Sequence, residues 1–91
     1  FVSGGQRHAR YLKQYHKVQY YNLMTSGKLN SYLADIDEQA EEMFSRLVKQ
    51  MAEKQGISEK LKATDQMMWV GRINAVRNAV MEIVNKELIY I

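Results

Sequence analysis

The chain has no cysteine, no proline and only 5 glycines among 91 residues. Without cysteine there is no disulfide framework, no thiolate nucleophile and no thiolate zinc site. That fits a reducing compartment, and a cytoplasmic location is the expectation. Without proline, and with only short β-branched runs, little breaks the helices favoured by abundant Leu, Met, Lys, Glu, Gln and Ala. No apolar run approaches the roughly 18 residues of a membrane span, so no membrane partner is expected. Glycine-rich phosphate loops and signal peptides are also missing. Residue 1 is Phe rather than Met, from which an upstream segment is expected. The absence with most bearing on function is one of charge. The first 28 residues hold no Asp or Glu, yet carry Arg7, Arg10, Lys13, Lys17 and Lys28. The remaining 63 residues hold eight cations against ten acids.

What is present describes one helical domain over 1–91. A hydrophobic fraction of 46% with 25% charged residues supports a folded chain. At this length the core is thin, because only about 60–65% of the unfolded surface is buried. Ser3, Gly4 and Gly5 read as a flexible lead-in. Helical spacing then begins near Gln6, and Tyr11, Leu12, Tyr15 and Val18 recur on one face. Tyr20, Leu23 and Met24 continue a similar stripe towards Gly27, which suits a left-handed helix end. A first helix is therefore expected over 6–26, either continuous or broken near His16 and Lys17.

A second, longer helix is expected over 29–55, ended by Gly56. Leu29, Leu33, Ile36, Ala40, Met43, Leu47 and Met51 follow the 3.5-residue spacing of a packing seam. Asp35, Glu38, Glu41, Glu42 and Lys49 fall off that seam. Ser58 and Glu59 can start a short turn in the connector, and Asp65 is a good N-cap for a third helix over 66–88. There Trp69, Ile73, Val76, Val80 and Ile83 repeat four and three apart. Gly71 and Ala75 lie between them and would admit a close neighbour. The expected fold is all-α, a small bundle in which the second and third helices form a long antiparallel hairpin. A hairpin alone is a poor core, so the first helix, a second copy of the chain, or both should cover it.

The basic, tyrosine-rich first helix is the candidate site. Arg7, Arg10, Lys13 and Lys17 are spaced to share roughly one side of a helix, and such cations can neutralise phosphates. Tyrosines between them could stack on bases. The competing reading is internal: the same cations could face Asp35, Asp37, Glu38, Glu41 and Glu42 while Tyr11 and Tyr15 pack as core. A helix-turn-helix across Tyr20 to Glu41 is opposed by charge, since it would bring those acids to phosphates. His8 and His16 read as surface or capping residues, because neither has a carboxylate at metal-binding helical spacing. No nucleophile is paired with a base, so no catalytic residue, metal or cofactor is expected. Trp69 reads as a core anchor. Arg72 and Arg77 could pair with the acids of the second helix or form another basic patch. Asn74, Asn78 and Asn85 read as a solvated stripe.

Several segments carry a family resemblance. Arg10-Tyr11-Leu12-Lys13, Gly27-Lys28-Leu29-Asn30, Ile36-Asp37-Glu38-Gln39-Ala40 and Leu61-Lys62-Ala63-Thr64-Asp65 resemble the transposon-encoded protein TnpV family. So does the closing run from Met68-Trp69-Val70 through Asn74 to Glu82-Ile83-Val84 and Lys86-Glu87-Leu88-Ile89-Tyr90. Gln66 departs from the family pattern, which often has Pro after the Asp. The resemblance implies a small protein carried on a bacterial mobile element, with no catalytic residues to transfer. It implies an accessory or regulatory role in recombination, and with the basic first helix the leading expectation is a protein that binds DNA through Arg7, Arg10, Lys13 and Lys17. The alternative is a protein–protein module that dimerises, bridges a recombinase or binds a host protein.

Overall fold

The computed structural model describes residues 4–91. They form α1 (Gly4–Tyr15), α2 (Lys17–Thr25), α3 (Leu29–Lys54), α4 (Glu59–Thr64) and α5 (Gln66–Val84). A π turn over Asn85–Ile89 follows directly on α5. No strand occurs among the described residues, so the fold is all-α. The expected first helix is two helices, broken at His16, whose φ of −134° and ψ of 57° are not helical.

Two glycines set the corners. At Gly27 (φ +72°) and Gly56 (φ +71°) the chain turns left-handed, where only glycine is unstrained. After α2, Lys28 N donates to Leu23 O at 3.0 Å and Gly27 N to Met24 O at 3.2 Å. After α3, Ile57 N donates to Ala52 O at 2.8 Å and Gly56 N to Glu53 O at 3.2 Å. Both are Schellman closures, and Ile57 completes the second by burying its side chain. The next two starts are capped as the sequence predicts. Ser58 accepts from Leu61 N at 3.2 Å and Asp65 from Met68 N at 3.1 Å.

These turns fold α5 back along α3 as an antiparallel hairpin. The core is Ile36, Ala40, Ile57, Ile73, Val76, Val80, Val84 and Ile89, with Trp69, Met43, Leu47 and Met51 packed against it. The third seam departs from expectation at its end. Val84 is buried, while Ile83 is 40% exposed. Past Val84 the helix widens, and Tyr90 N donates to Asn85 O at 2.7 Å in a five-residue closure. The wider turn carries the inward position from Val84 to Ile89 and leaves Glu87 outside. Gly71 and Ala75 face solvent, and a Cβ on Gly71 would meet nothing within 4 Å beyond its own stretch of helix. They do not receive a neighbouring helix, because the seam passes on the other side of α5.

The particle is a rod of 54 × 20 × 19 Å. Its radius of gyration of 16.7 Å exceeds the roughly 12 Å of a compact domain this size. α1 lies against α3 and the π turn and covers one end of the hairpin. No helix among the described residues is long and apolar enough to cross a membrane.

Candidate nucleic-acid interface

Glycine decides how α1 docks. Gly4 and Gly5 are helical and buried, so they are not a flexible lead-in; Ser3 lies outside the described residues. A Cβ on Gly5 would stand 2.7 Å from Leu33 O and 2.8 Å from Asp37 Oδ2. With only hydrogen there, the α1 backbone can rest on α3. Gly5 N then donates to Asp37 Oδ1. A carboxylate beside the first described turn of a helix is favourably placed against its dipole.

His8 lies one turn on and is 1% exposed. This overturns its reading as a surface or capping residue. Its Nδ1 is 2.7 Å from Ile89 O and its Nε2 is 2.9 Å from Tyr32 Oη. A carbonyl can only accept, so Nδ1 donates, and in the neutral ring Nε2 accepts from the Tyr32 hydroxyl. One side chain thus ties α1 to both α3 and the chain's last turn. Helical spacing does place His8 one turn ahead of Leu12 on the same face; what conceals its burial is a polar side chain whose partners lie 24 and 81 residues away. Leu12 completes the buried side.

With Gly5, His8 and Leu12 inward, 3.6-residue periodicity puts Arg10 and Lys13 on the opposite side. Both are exposed, as is Lys17 at the start of α2. None of the three forms an ion pair among the described residues, where the one salt bridge joins Arg46 to Glu42 at 3.5 Å. The cations are therefore not matched to Asp35, Asp37, Glu38, Glu41 and Glu42. Those acids lie on α3, which α1 approaches with its glycine side. Arg72 and Arg77 are exposed and make no ion pair either.

Arg7 stands apart from the other three. It is half-buried, and Nη1 donates to Asn85 Oδ1 while Nη2 lies 3.5 Å from Met81 Sδ. Its buried Nε has no partner. Asn85 consequently does not belong to a solvated stripe, although Asn74 and Asn78 do face out.

The tyrosines also divide. Tyr11 is half-buried, whereas Tyr15 is 65% exposed, so they do not form a continuous core stripe. Tyr11 is 5.3 Å from the Tyr15 ring and 5.6 Å from that of Tyr90, at the far end of the sequence. Arg7, Arg10, Tyr11, Gln14, Tyr15 and Tyr90 line an open cleft of about 470 Å³. Tyr90 enters only because the π turn redirects the last residues, which helical spacing does not anticipate. His16 sits outside, its ring 5.3 Å from Tyr11. On the opposite end of the rod Trp69 is half-buried against the core as expected, with Lys62 Nζ 4.7 Å over its ring.

α2 joins α1 to α3 at the surface of the rod. None of its residues is buried, and Val18 (76% exposed), Tyr21 and Met24 face solvent.

A family model described as transposon-encoded protein TnpV matches residues 3–89, nearly the whole chain. No curated protein and no solved structure matches it.

Proposed function

Because the chain belongs to the TnpV family of transposon-encoded proteins, we propose that it is a non-enzymatic accessory protein of a bacterial mobile element. It binds DNA in the cytoplasm through the basic side of its N-terminal helices. The observation that carries this reading is the exposed set Arg10, Lys13 and Lys17, which has no ion pair among the described residues and no acid on α1 or α2. Arg7 is the fourth residue of the set. It adds its charge from a half-buried position, and its direct phosphate contact is the weakest of the four.

Each phosphate neutralised releases counterion, so binding must weaken with salt. Three contacts give a log–log slope of about −2 to −3, the lower figure for single strands. Anisotropy of labelled DNA across a salt series measures it. Replacing Arg10, Lys13 and Lys17 together with Glu should abolish binding while leaving helicity intact. Absence of wild-type binding at low salt would refute the reading.

A second reading draws on α2. A helix without a buried residue, exposing Val18, Tyr21 and Met24, supports a protein partner: a second copy, a recombinase or a host protein. Light scattering that returns a monomer mass at high concentration would count against the homodimer.

A further inference from the structure

We propose that the cleft between α1 and the end of the chain takes an unpaired base of single-stranded DNA, stacked against Tyr15 and Tyr90. This rests on the DNA-binding reading and narrows its ligand. Three observations lead to it. First, the aromatic surface is exposed where packing does not need it. Tyr11 holds the centre, and its neighbours Tyr15 and Tyr90 remain 65% and 46% exposed. Second, the lining pairs these rings with Arg7, Arg10 and Gln14 and includes no carboxylate. Lys13 and Lys17 continue the positive side along α1 into α2. Third, the cleft is open to solvent, so a strand can reach it.

The alternative forms of DNA use this surface poorly. A base within a duplex is already stacked on both faces and has no π-surface to give. Phosphates alone would be served by the cations, leaving the exposed rings idle. Cations along a groove with aromatic platforms inside it are the combination that binds single strands with little sequence preference. Gln14, whose Nε2 lies 3.4 Å from Tyr15 Oη, is placed at the cleft to meet a base edge.

The test uses anisotropy with labelled oligothymidylate of about 12 nucleotides, within the usual single-strand site sizes. An abasic strand of equal length and charge, the matching duplex and oligouridylate are the comparisons. Wild-type protein should bind oligothymidylate about 5- to 150-fold more tightly than the abasic strand, the span expected for one stacked base. Tyr15→Ala and Tyr90→Ala should each shrink that ratio towards one. Tyr15→Phe should preserve it. Lys13→Gln should weaken both strands alike. Equal wild-type affinity for the oligothymidylate and abasic strands overturns the stacking site, and so does tighter binding of the duplex; both leave the DNA-binding reading standing. Tighter binding of oligouridylate overturns the assignment to DNA. Failure to bind any strand at low salt removes this proposal and the DNA-binding reading together. The wild-type comparison needs no variant, so a variant that misfolds does not rescue the idea.

Discussion

Two Gly→Ala substitutions in this chain should have opposite signs, although both residues are helical. In the interior of an exposed helix, alanine is preferred over glycine by about 0.5–1 kcal/mol, because glycine loses more backbone entropy. Gly71 in α5 meets only that term, since the space within 4 Å of where its Cβ would stand is open. Gly71→Ala should raise Tm by about 2–8 °C, at 4–8 °C per kcal/mol for a domain this small. At Gly5 the added carbon arrives 2.7 Å from Leu33 O and 2.8 Å from Asp37 Oδ2. The first is backbone and cannot swing away, so α1 must lift from α3. Overpacking of this kind costs about 1–3 kcal/mol. Lifting also strains the hydrogen bond from Gly5 N to Asp37, which as a bond to a charged group contributes about 1.5–3 kcal/mol. These outweigh the propensity gain, and Gly5→Ala should lose a net of about 1–3 kcal/mol, lowering Tm by about 4–24 °C. Thermal unfolding followed by far-ultraviolet circular dichroism measures both variants. A Gly5→Ala protein as stable as wild type would refute the close approach and, with it, the argument for which side of α1 faces solvent.

Further outcomes follow from other contacts. His8→Phe keeps an aromatic ring at the buried position, somewhat larger than imidazole, but leaves Ile89 O and the Tyr32 hydroxyl without their partner; urea unfolding should show a loss of at least about 1–3 kcal/mol. Asp65→Ala removes the acceptor of Met68 N at the start of α5 and should cost about 0.5–2 kcal/mol in the same measurement. Asp65→Asn should restore most of it, since Asn caps as well. Lys13→Gln should leave Tm unchanged within experimental error and reduce the salt slope of DNA binding by about one.

The hairpin was readable because its apolar spacing and its stop signals agree. Gly27, Gly56, Ser58 and Asp65 each sit where a helix must end or begin, and each does so in the structure. Where the reading failed, the cause was a contact between distant segments. His8 finds its partners 24 and 81 residues away, and Arg7 finds Asn85 78 residues away. Gly4 and Gly5 look like a loose linker by composition, and only the nearness of α3 turns them into a packing surface. The π turn defeats an extrapolated seam, because a single wider turn carries the inward position from Val84 to Ile89. Arg10, Lys13 and Lys17 were legible as a basic set, but the place of Tyr90 beside Tyr11 in the cleft that Arg10 also lines was not.

The charge split of the sequence can now be decided on geometry. A +5 segment followed by a −2 segment invites internal neutralisation, and α1 does pack on the acidic helix. The manner of packing prevents the pairing. Helices that neutralise one another must meet along their charged sides, with long side chains between them. Here the contact is made by two glycines, a histidine and a leucine, which bring the axes close and turn the arginine and lysine positions away. Asp37, which does reach α1, is taken by a backbone amide. Closeness of the two helices and neutralisation of their charges are therefore alternatives in this fold. Choosing the first leaves Arg10, Lys13 and Lys17 exposed and without an ion pair among the described residues, and the proposal of a DNA ligand rests on that.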